Sequence, residues 1–496
     1  MEKSKKIIIL EKTLGFLAKK VLKRHEPQVV AVTGSVGKTG TKEMIAYLLK
    51  DYYSVRQNDK NYNNEIGLPL TIIGADSGGQ SIFRWLSVFL KGIWVAYFSK
   101  DYPKILILEM GADHKGDLQY LCQITPPDVG VITNIGNSHL EYFKTRTALA
   151  REKSILLKSV KSGGLAVVNE DDVEVAKIGQ QIGEKVLTIG ITKPAQMYAT
   201  DIKLSKRILK LKNAQSISIV SGLLFKLNYQ GKIVPVKLKY SFGTPAVYSA
   251  LIAMAVADFF QINIVEAAQS LENFRLSKGR LSLVKGIKHT IIIDDTYNSA
   301  PKSLAEALII LGECEANKKI AVLGDMLELG REEKKSHQSV GQDFDKFGVN
   351  VFIAVGKRMK LAYEEVVSKS KKIKAFHFGN PMEAGLFLQK ILEEGDIVLV
   401  KGSQGMRMEK IVEEIMAEPR KKDKLCNSIR SQTGIKSLDE KLRQEAVVQV
   451  FDALCKQNII ILSGDEFQYP QFDGGMIYLK YEKYLLCRRA KRRPTS

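Results

Sequence analysis

The chain has 496 residues, 45% hydrophobic and 26% charged, with 75 Lys and Arg against 54 Asp and Glu, a formal net charge of +21. That length allows two or three domains with proper cores, and the basic excess points to acidic partners such as nucleotides and anionic substrates. The usual nucleic-acid motifs are missing, so no nucleic-acid partner is expected. Five scattered cysteines without a C-x-x-C pair exclude a disulfide framework and a zinc site and indicate a reducing, cytoplasmic compartment.

Residues 1–27 read as a helix ending near Pro27, with too short an apolar run for a signal peptide. Next, Val29–Val32 is a β-branched run that ends in Thr33-Gly34-Ser35-Val36-Gly37-Lys38-Thr39 and then opens a helical pattern. Strand, glycine turn, Lys-Thr and helix in that order make a phosphate-binding loop: backbone N–H groups cradle phosphate, Lys38 adds a point charge and the Thr39 hydroxyl reaches Mg²⁺. The spacing is G-x-x-G-K-T, with Val32 where the general pattern has its first glycine. A polar loop, 61–69, follows.

Residues 82–98 are strongly apolar, hold both tryptophans, and are interrupted by Arg84 and Lys91. They fall short of the ~18 unbroken apolar residues of a spanning helix. Arg84, Ser87 and Lys91 share one helical face, so the segment either lies in a membrane interface, as a peripheral contact, or packs against the domain or a partner.

The strand run 105–108 ends in Glu109, where a phosphate-loop protein places a Mg²⁺ ligand. Strand 129–134 leads into His139, again past a parallel strand end. A helix over 145–159 carries Lys153, a strand spans 165–168, 215–240 reads as a hairpin around Gly231, and 247–260 as an Ala-rich helix. The βα rhythm then restarts, with strands at 290–293, 319–323, 350–355, 373–378 and 396–400 and a cleft rim from 294–301, 324–330 and 401–409. From 419 the composition shifts to a charged linker, a helix near 437–457, strand-like runs and a basic end. The fold class is α/β: a P-loop central ATPase domain with a mostly parallel sheet (28–276), a Rossmann-like α/β C-terminal domain (277–418) and a small α+β tail (419–496), after an N-terminal helix (1–27).

The segments 33–39, 61–69, 109–112, 133–141, 294–301, 323–330 with His337 and Gly341, and 400–409 occur in the order of the Mur ligase family, which the chain resembles over roughly 28–417. The resemblance implies an ATP-dependent, ADP-forming ligase working through an acyl phosphate. Asp-Asp-Thr-Tyr-Asn and Gly-Asp-Met-Leu-Glu-Leu-Gly point to the branch that adds D-alanyl-D-alanine to a peptidoglycan precursor, so both small molecules are expected partners. It further implies that Gly34, Ser35, Val36, Gly37, Lys38 and Thr39 hold the ATP phosphates, with Arg280, Asp295 and Asn298 also facing the nucleotide. Two Mg²⁺ ions are implied, the first on Thr39 and Glu109, the second on His139 and a carbamoylated Lys153. Lys38, His139 and Lys153 carry the chemistry. Asn63, Asn64, Lys401, Ser403 and Arg407 are the implied substrate-binding residues.

Two departures stand against the family pattern. Only 27 residues precede the first strand, so the UDP-sugar-binding domain that opens such enzymes is expected to be absent. A His-Asn pair and a later Asn near the adenine are replaced by Thr244, Pro245 and Ser249, which unsettles the adenine contacts. A ligase acting on another carboxylate, or a non-catalytic nucleotide-binding scaffold at a membrane, are the alternatives. Five retained, chemically coupled groups (Lys38, Thr39, Glu109, His139, Lys153) argue against the scaffold. The oligomeric state and the role of 419–496 are left open.

Overall fold

The computed structural model describes residues 5–59, 62–136, 140–182, 185–211, 216–342, 344–418, 477–481 and 484–488. The chain divides into two compact units, one of residues 1–24, 69–100 and 430–496, the other of 25–68 and 101–429.

In chain order the elements are α1 (Lys5–His25), β1 (Gln28–Thr33), α2 (Lys38–Leu49), β2 (Val55–Gln57), α3 (Gly67–Ile73), α4 (Ile82–Tyr97), β3 (Ile105–Glu109), α5 (Asp117–Ile124), β4 (Val129–Ile132), α6 (Leu140–Phe143), α7 (Arg146–Lys158), β5 (Leu165–Asn169), α8 (Val173–Ile182) and β6 (Val186–Gly190). Three antiparallel strands follow, β7 (Met197–Lys210), β8 (Ser216–Tyr229) and β9 (Lys232–Leu238), then α9 (Thr244–Phe259) and α10 (Ile264–Leu271). The βα alternation resumes with β10 (Ser282–Lys285), β11 (Ile291–Asp295), α11 (Pro301–Gly312), β12 (Lys319–Gly324), α12 (Glu333–Gln342), β13 (Val351–Val355), α13 (Lys360–Lys369), β14 (Lys374–Phe378), α14 (Pro381–Ile391), β15 (Ile397–Lys401) and α15 (Glu409–Ile415).

In the larger unit nine strands form one sheet, β2-β3-β1-β4-β5-β6-β7-β8-β9, parallel from β2 to β7 and antiparallel from there on. The central strand β1 is buried from Val29 to Thr33, which is why it reads as an unbroken apolar run rather than an alternation. Helix α9 is buried along almost its whole length and packs among the residues of α2 and the sheet, so it has no polar face to show in the sequence. Pro245 falls in its first turn, where a missing N–H costs nothing.

The hairpin around Gly231 forms as β8 and β9, with Gln230 at φ 49° and Gly231 at φ 74°, the left-handed pair that a two-residue hairpin turn needs. Strand β7 was not anticipated. Register shifts between Thr200 and Lys203 and between Ser205 and Lys206 break its alternation, and most of it is exposed.

The second sheet runs β10-β11-β15-β12-β13-β14, parallel except at β10. Strand β8 belongs to two cores. Leu223, Phe225 and Leu227 pack into the core of the nine-stranded sheet, whereas Ile217, Ile219 and Val220 pack with Leu304, Ala307 and Phe344 beside the second sheet.

In the smaller unit, α4 buries Trp85, Val88, Phe89, Gly92, Val95 and Ala96. A Cβ at position 92 would stand 3.1 Å from Leu17 of α1, so the glycine permits this close approach. The Arg24 guanidinium donates to the carbonyls of Tyr97 and Ser99 and fastens the end of α1 to the end of α4. On the outward face of α4, Phe83, Leu90, Trp94, Tyr97 and Phe98 are exposed beside Arg84 and Lys91. Among the described residues no helix is long and apolar enough to cross a membrane. Of the expected elements beyond 419, the helix near 437–457 lies outside the described residues; Ile477–Tyr481 and Tyr484–Arg488 form an antiparallel pair.

Candidate functional site

The glycine loop leaves β1 with Gly34 at φ 147° and enters α2 with Gly37 at φ 85°. The two glycines are required for different reasons. At Gly34 a Cβ would sit 1.9 Å from Thr133 Oγ1, so both space and conformation forbid a side chain; at Gly37 nothing lies within 4 Å and conformation alone decides. The segment after β4 grips the loop from below. Asn134 Oδ1 accepts from the Val36 N–H at 2.9 Å, the Asn134 carbonyl from Ser35 N at 3.0 Å, and Thr133 Oγ1 donates to the Val36 carbonyl at 2.7 Å. Lys38 Nζ folds back across the loop to the Gly34 carbonyl at 2.9 Å.

Parallel pairing of β1 with β3 puts Val32 level with Glu109 and so brings the Glu109 carboxylate beside the start of α2. Thr39 Oγ1 donates to Glu109 Oε2 at 2.8 Å, and Asn63 Nδ2 to Oε1 at 3.2 Å. Asn58 braces the same residue through its backbone. Its Oδ1 accepts from Glu109 N at 2.8 Å and its Nδ2 donates to the Glu109 carbonyl at 2.9 Å. Lys42 in turn donates to the Asn58 carbonyl.

Helix α7 brings Lys153 into this cluster, buried at 1% exposure. Burial, and after it the charge of Lys38, pushes the Lys153 pKa down to about 7, against the pull of Asp113, Glu152 and Glu109. Lys38 is likewise lowered by burial, with Glu109 and Asp113 opposing. Glu152 is not free for chemistry: its carboxylate accepts from the N–H groups of Gly116 and Leu118 at the start of α5. His139 lies outside the described residues.

A hydroxyl and a carboxylate held together at the mouth of a glycine loop are hard oxygen donors and suit Mg²⁺, which takes one or two protein ligands and completes its shell with phosphate and water. No group of three or more His, Cys, Asp or Glu that could hold a metal occurs among the described residues.

Just before β10, Arg280 stacks its guanidinium 4.0 Å from the Tyr297 ring centroid and lies close enough to Lys38 and Lys42 to depress their pKa values. It therefore lies near the glycine loop. Asp295 and Lys401 end adjacent parallel strands in register and form an ion pair at 2.6 Å, with Lys401 also donating to the Asn298 carbonyl at 2.8 Å. Lys401 is 1% exposed, and its ammonium is paired with Asp295.

Ser403 is buried, accepting from Leu327 N at 2.9 Å. Asn64 accepts from Gly67 N at 2.8 Å and shapes the entry to α3. Asn298 Oδ1 accepts from Ser299 N, and Arg407, in the left-handed region at φ 58°, pairs with Glu409 at 2.7 Å. His337 is structural: fully buried, it accepts from Met326 N at Nε2 and donates from Nδ1 to the Glu333 carbonyl. Ser249, in place of an expected adenine contact, shares a 2.9 Å hydrogen bond with Thr41 and ties α9 to α2.

Residues 32–83 and 94–257 match the Mur ligase middle domain, and 279–404 match the Mur ligase glutamate ligase domain. The chain is 27% identical over 422 residues to the UDP-N-acetylmuramoyl-tripeptide--D-alanyl-D-alanine ligase of Bacillus subtilis, covering 83% of this chain and 82% of that one. The Escherichia coli protein of the same name is 26% identical over 411 residues, covering 82% and 81%. Among solved structures, MurF ligase from Thermotoga maritima in complex with ADP aligns with a TM-score of 0.66 at 27% identity, covering 83% of this chain and 84% of that one. MurF from Acinetobacter baumannii aligns at 0.65 and 26% identity, covering 80% and 79%.

Proposed function

Because the chain belongs to the Mur ligase family, we propose that it is an ATP-dependent, ADP-forming ligase that adds D-alanyl-D-alanine to the peptide of a UDP-linked peptidoglycan precursor in the cytoplasm. The observation that carries this reading is the convergence of Lys38, Thr39, Glu109 and Lys153 at one glycine loop. The substrate carboxylate attacks the γ-phosphorus of ATP, and the bond to ADP breaks. The incoming amine then attacks the acyl carbon of the acyl phosphate; inorganic phosphate leaves, the amine loses a proton and an amide forms. Lys38 and the loop N–H groups offset negative charge on the transferring phosphoryl group. Thr39 and Glu109 would hold Mg²⁺, which would supply further charge neutralisation. Arg280, stacked on Tyr297, adds a fixed cation on the side of the second sheet.

Within this reading Lys153 is carbamoylated. Its buried amine, with a pKa near 7, is largely neutral in mildly alkaline solution. Only the neutral amine reacts with CO₂, forming an N–C bond and releasing a proton. The carbamate gives a buried oxygen anion, and His139 with it would serve a second Mg²⁺. Carbon-13 NMR of protein equilibrated with labelled CO₂ should show a carbamate resonance that Lys153→Ala removes. Lys153→Glu, carrying its own carboxylate, should keep more activity than Lys153→Ala.

The activity is tested by phosphate release with UDP-MurNAc-tripeptide, D-Ala-D-Ala and Mg-ATP. Turnover that needs both substrates supports the reading. Turnover only with another acid and amine would assign the enzyme a different carboxylate, and ATP binding without turnover under any pairing would leave a non-catalytic scaffold.

A further inference from the structure

We propose that the outward face of α4 docks on the surface of an anionic phospholipid bilayer. The argument is independent of the ligase reading. Along α4 the exposed positions 83, 84, 87, 90, 91, 94, 97 and 98 follow one another at helical spacing and form a single stripe. Five of them are large and apolar: Phe83 is 83% exposed, Phe98 61%, Trp94 60%, Leu90 46% and Tyr97 44%. At ~100° per residue, Arg84 and Lys91 fall along one edge of this apolar arc. Arg24, fastened to the carbonyls of Tyr97 and Ser99, and the exposed Lys100 add cations at its C-terminal end. No acidic residue occurs from 77 to 100.

This arrangement complements a surface that is apolar a few ångströms down and negative at the top. Aromatic side chains reach the level of the headgroups and acyl boundary while the cations meet phosphate. The helix has 16 residues and buries its other face on its own unit, so it lies in the plane of the membrane rather than across it. The match to the Mur ligase middle domain stops at residue 83 and resumes at 94, so Arg84, Ser87, Leu90 and Lys91 of this face lie outside the matched segments.

The chain has two tryptophans, and Trp85 is buried whereas Trp94 is exposed. In the full-length Trp85→Phe protein, Trp94 is thus the sole reporter. With vesicles of phosphatidylglycerol and phosphatidylcholine its emission should shift to the blue and be quenched by bromine in the acyl chains, and vesicles of phosphatidylcholine alone should leave it unchanged. In co-sedimentation, a Phe83→Ser/Trp94→Ser variant of the otherwise native chain should lose at least tenfold in partitioning onto the anionic vesicles. Arg84→Glu should lose several-fold. Both variants should keep the native melting temperature, since these side chains are exposed. Equal binding to neutral vesicles, or binding that survives Phe83→Ser/Trp94→Ser, would overturn the proposal. So would a concentration-dependent dimer in light scattering that this variant abolishes, because the face would then be an interface between copies of the chain.

Discussion

At the scale of single residues, the glycine loop makes a graded demand. Gly34→Ala must both hold a side chain at φ 147° and displace Thr133 Oγ1, which itself holds the Val36 carbonyl. A loss of roughly 2–5 kcal/mol is expected from strain plus overpacking. Gly37→Ala meets no neighbour, and the left-handed conformation alone costs about 1–2 kcal/mol. Melting temperatures of the two variants should therefore rank Gly34→Ala well below Gly37→Ala. Asp294 makes a prediction in pH. It is fully buried, and burial, with Asp295 and Glu409 adding to it, pushes its carboxyl up to about 6 despite two hydrogen bonds from Thr296. Its Oδ2 has no partner. The folded pKa lies above the unfolded one, so between about pH 4 and pH 6 the folded state binds the extra proton, and stability falls as pH rises through that window. Asp294→Asn should remove this slope and stabilise the protein at pH 7 by about 1–3 kcal/mol, measured by urea unfolding at pH 4.5 and pH 7. An unchanged slope in the variant would show that Asp294 does not titrate there.

At the scale of elements, what matters is which strand ends meet. Register between β11 and β15 sets Asp295 against Lys401, and burial makes the pair interdependent. Lys401→Met leaves a buried carboxylate without its counter-ion and should cost about 3–5 kcal/mol, whereas Asp295→Asn/Lys401→Met should recover most of it. A double-mutant cycle by chemical denaturation measures the coupling, and additive losses would mean that the pair is not what holds these strand ends. The βα alternation that brings such ends together was legible in the chain. The strands expected at 290–293, 319–323, 350–355, 373–378 and 396–400 form as β11 to β15 with bounds shifted by at most two residues. Buried parallel strands are short apolar runs between helical patterns, and that contrast is local. Strand β7 was not legible, since its bulged, exposed surface carries no alternation.

At the scale of the whole chain, β8 joins two cores that the sequence presents as separate domains. Ile219 sits at 1% exposure in the core beside the second sheet, six residues before Phe225 in the core of the first. Ile219→Ala should cost about 2–5 kcal/mol. Hydrogen exchange should then show protection falling together in β1–β6 and in β11–β15, because one continuous strand transmits the loss. Protection lost in β11–β15 alone would mean that the two cores open independently.

Local residue patterns show where the glycine loop lies, that Lys38 and Thr39 follow it, that Glu109 ends a buried strand and that two βα systems follow one another. Each rests on neighbours within a few residues: a β-branched run, a glycine-rich turn, an apolar period. What those groups are bonded to emerges from contacts between distant parts of the chain. Asn58 reaches Glu109 across 51 residues of chain, Lys401 reaches Asp295 across 106, and Thr41 reaches Ser249 across 208. Partners so far apart leave no periodic trace, and a residue's type does not say whether its polar end faces a ligand or a neighbour. For that reason Lys401 and Ser403 read as rim residues in the sequence and are buried in the fold, while Asn58, which braces the Glu109 backbone, gave no local sign of its role.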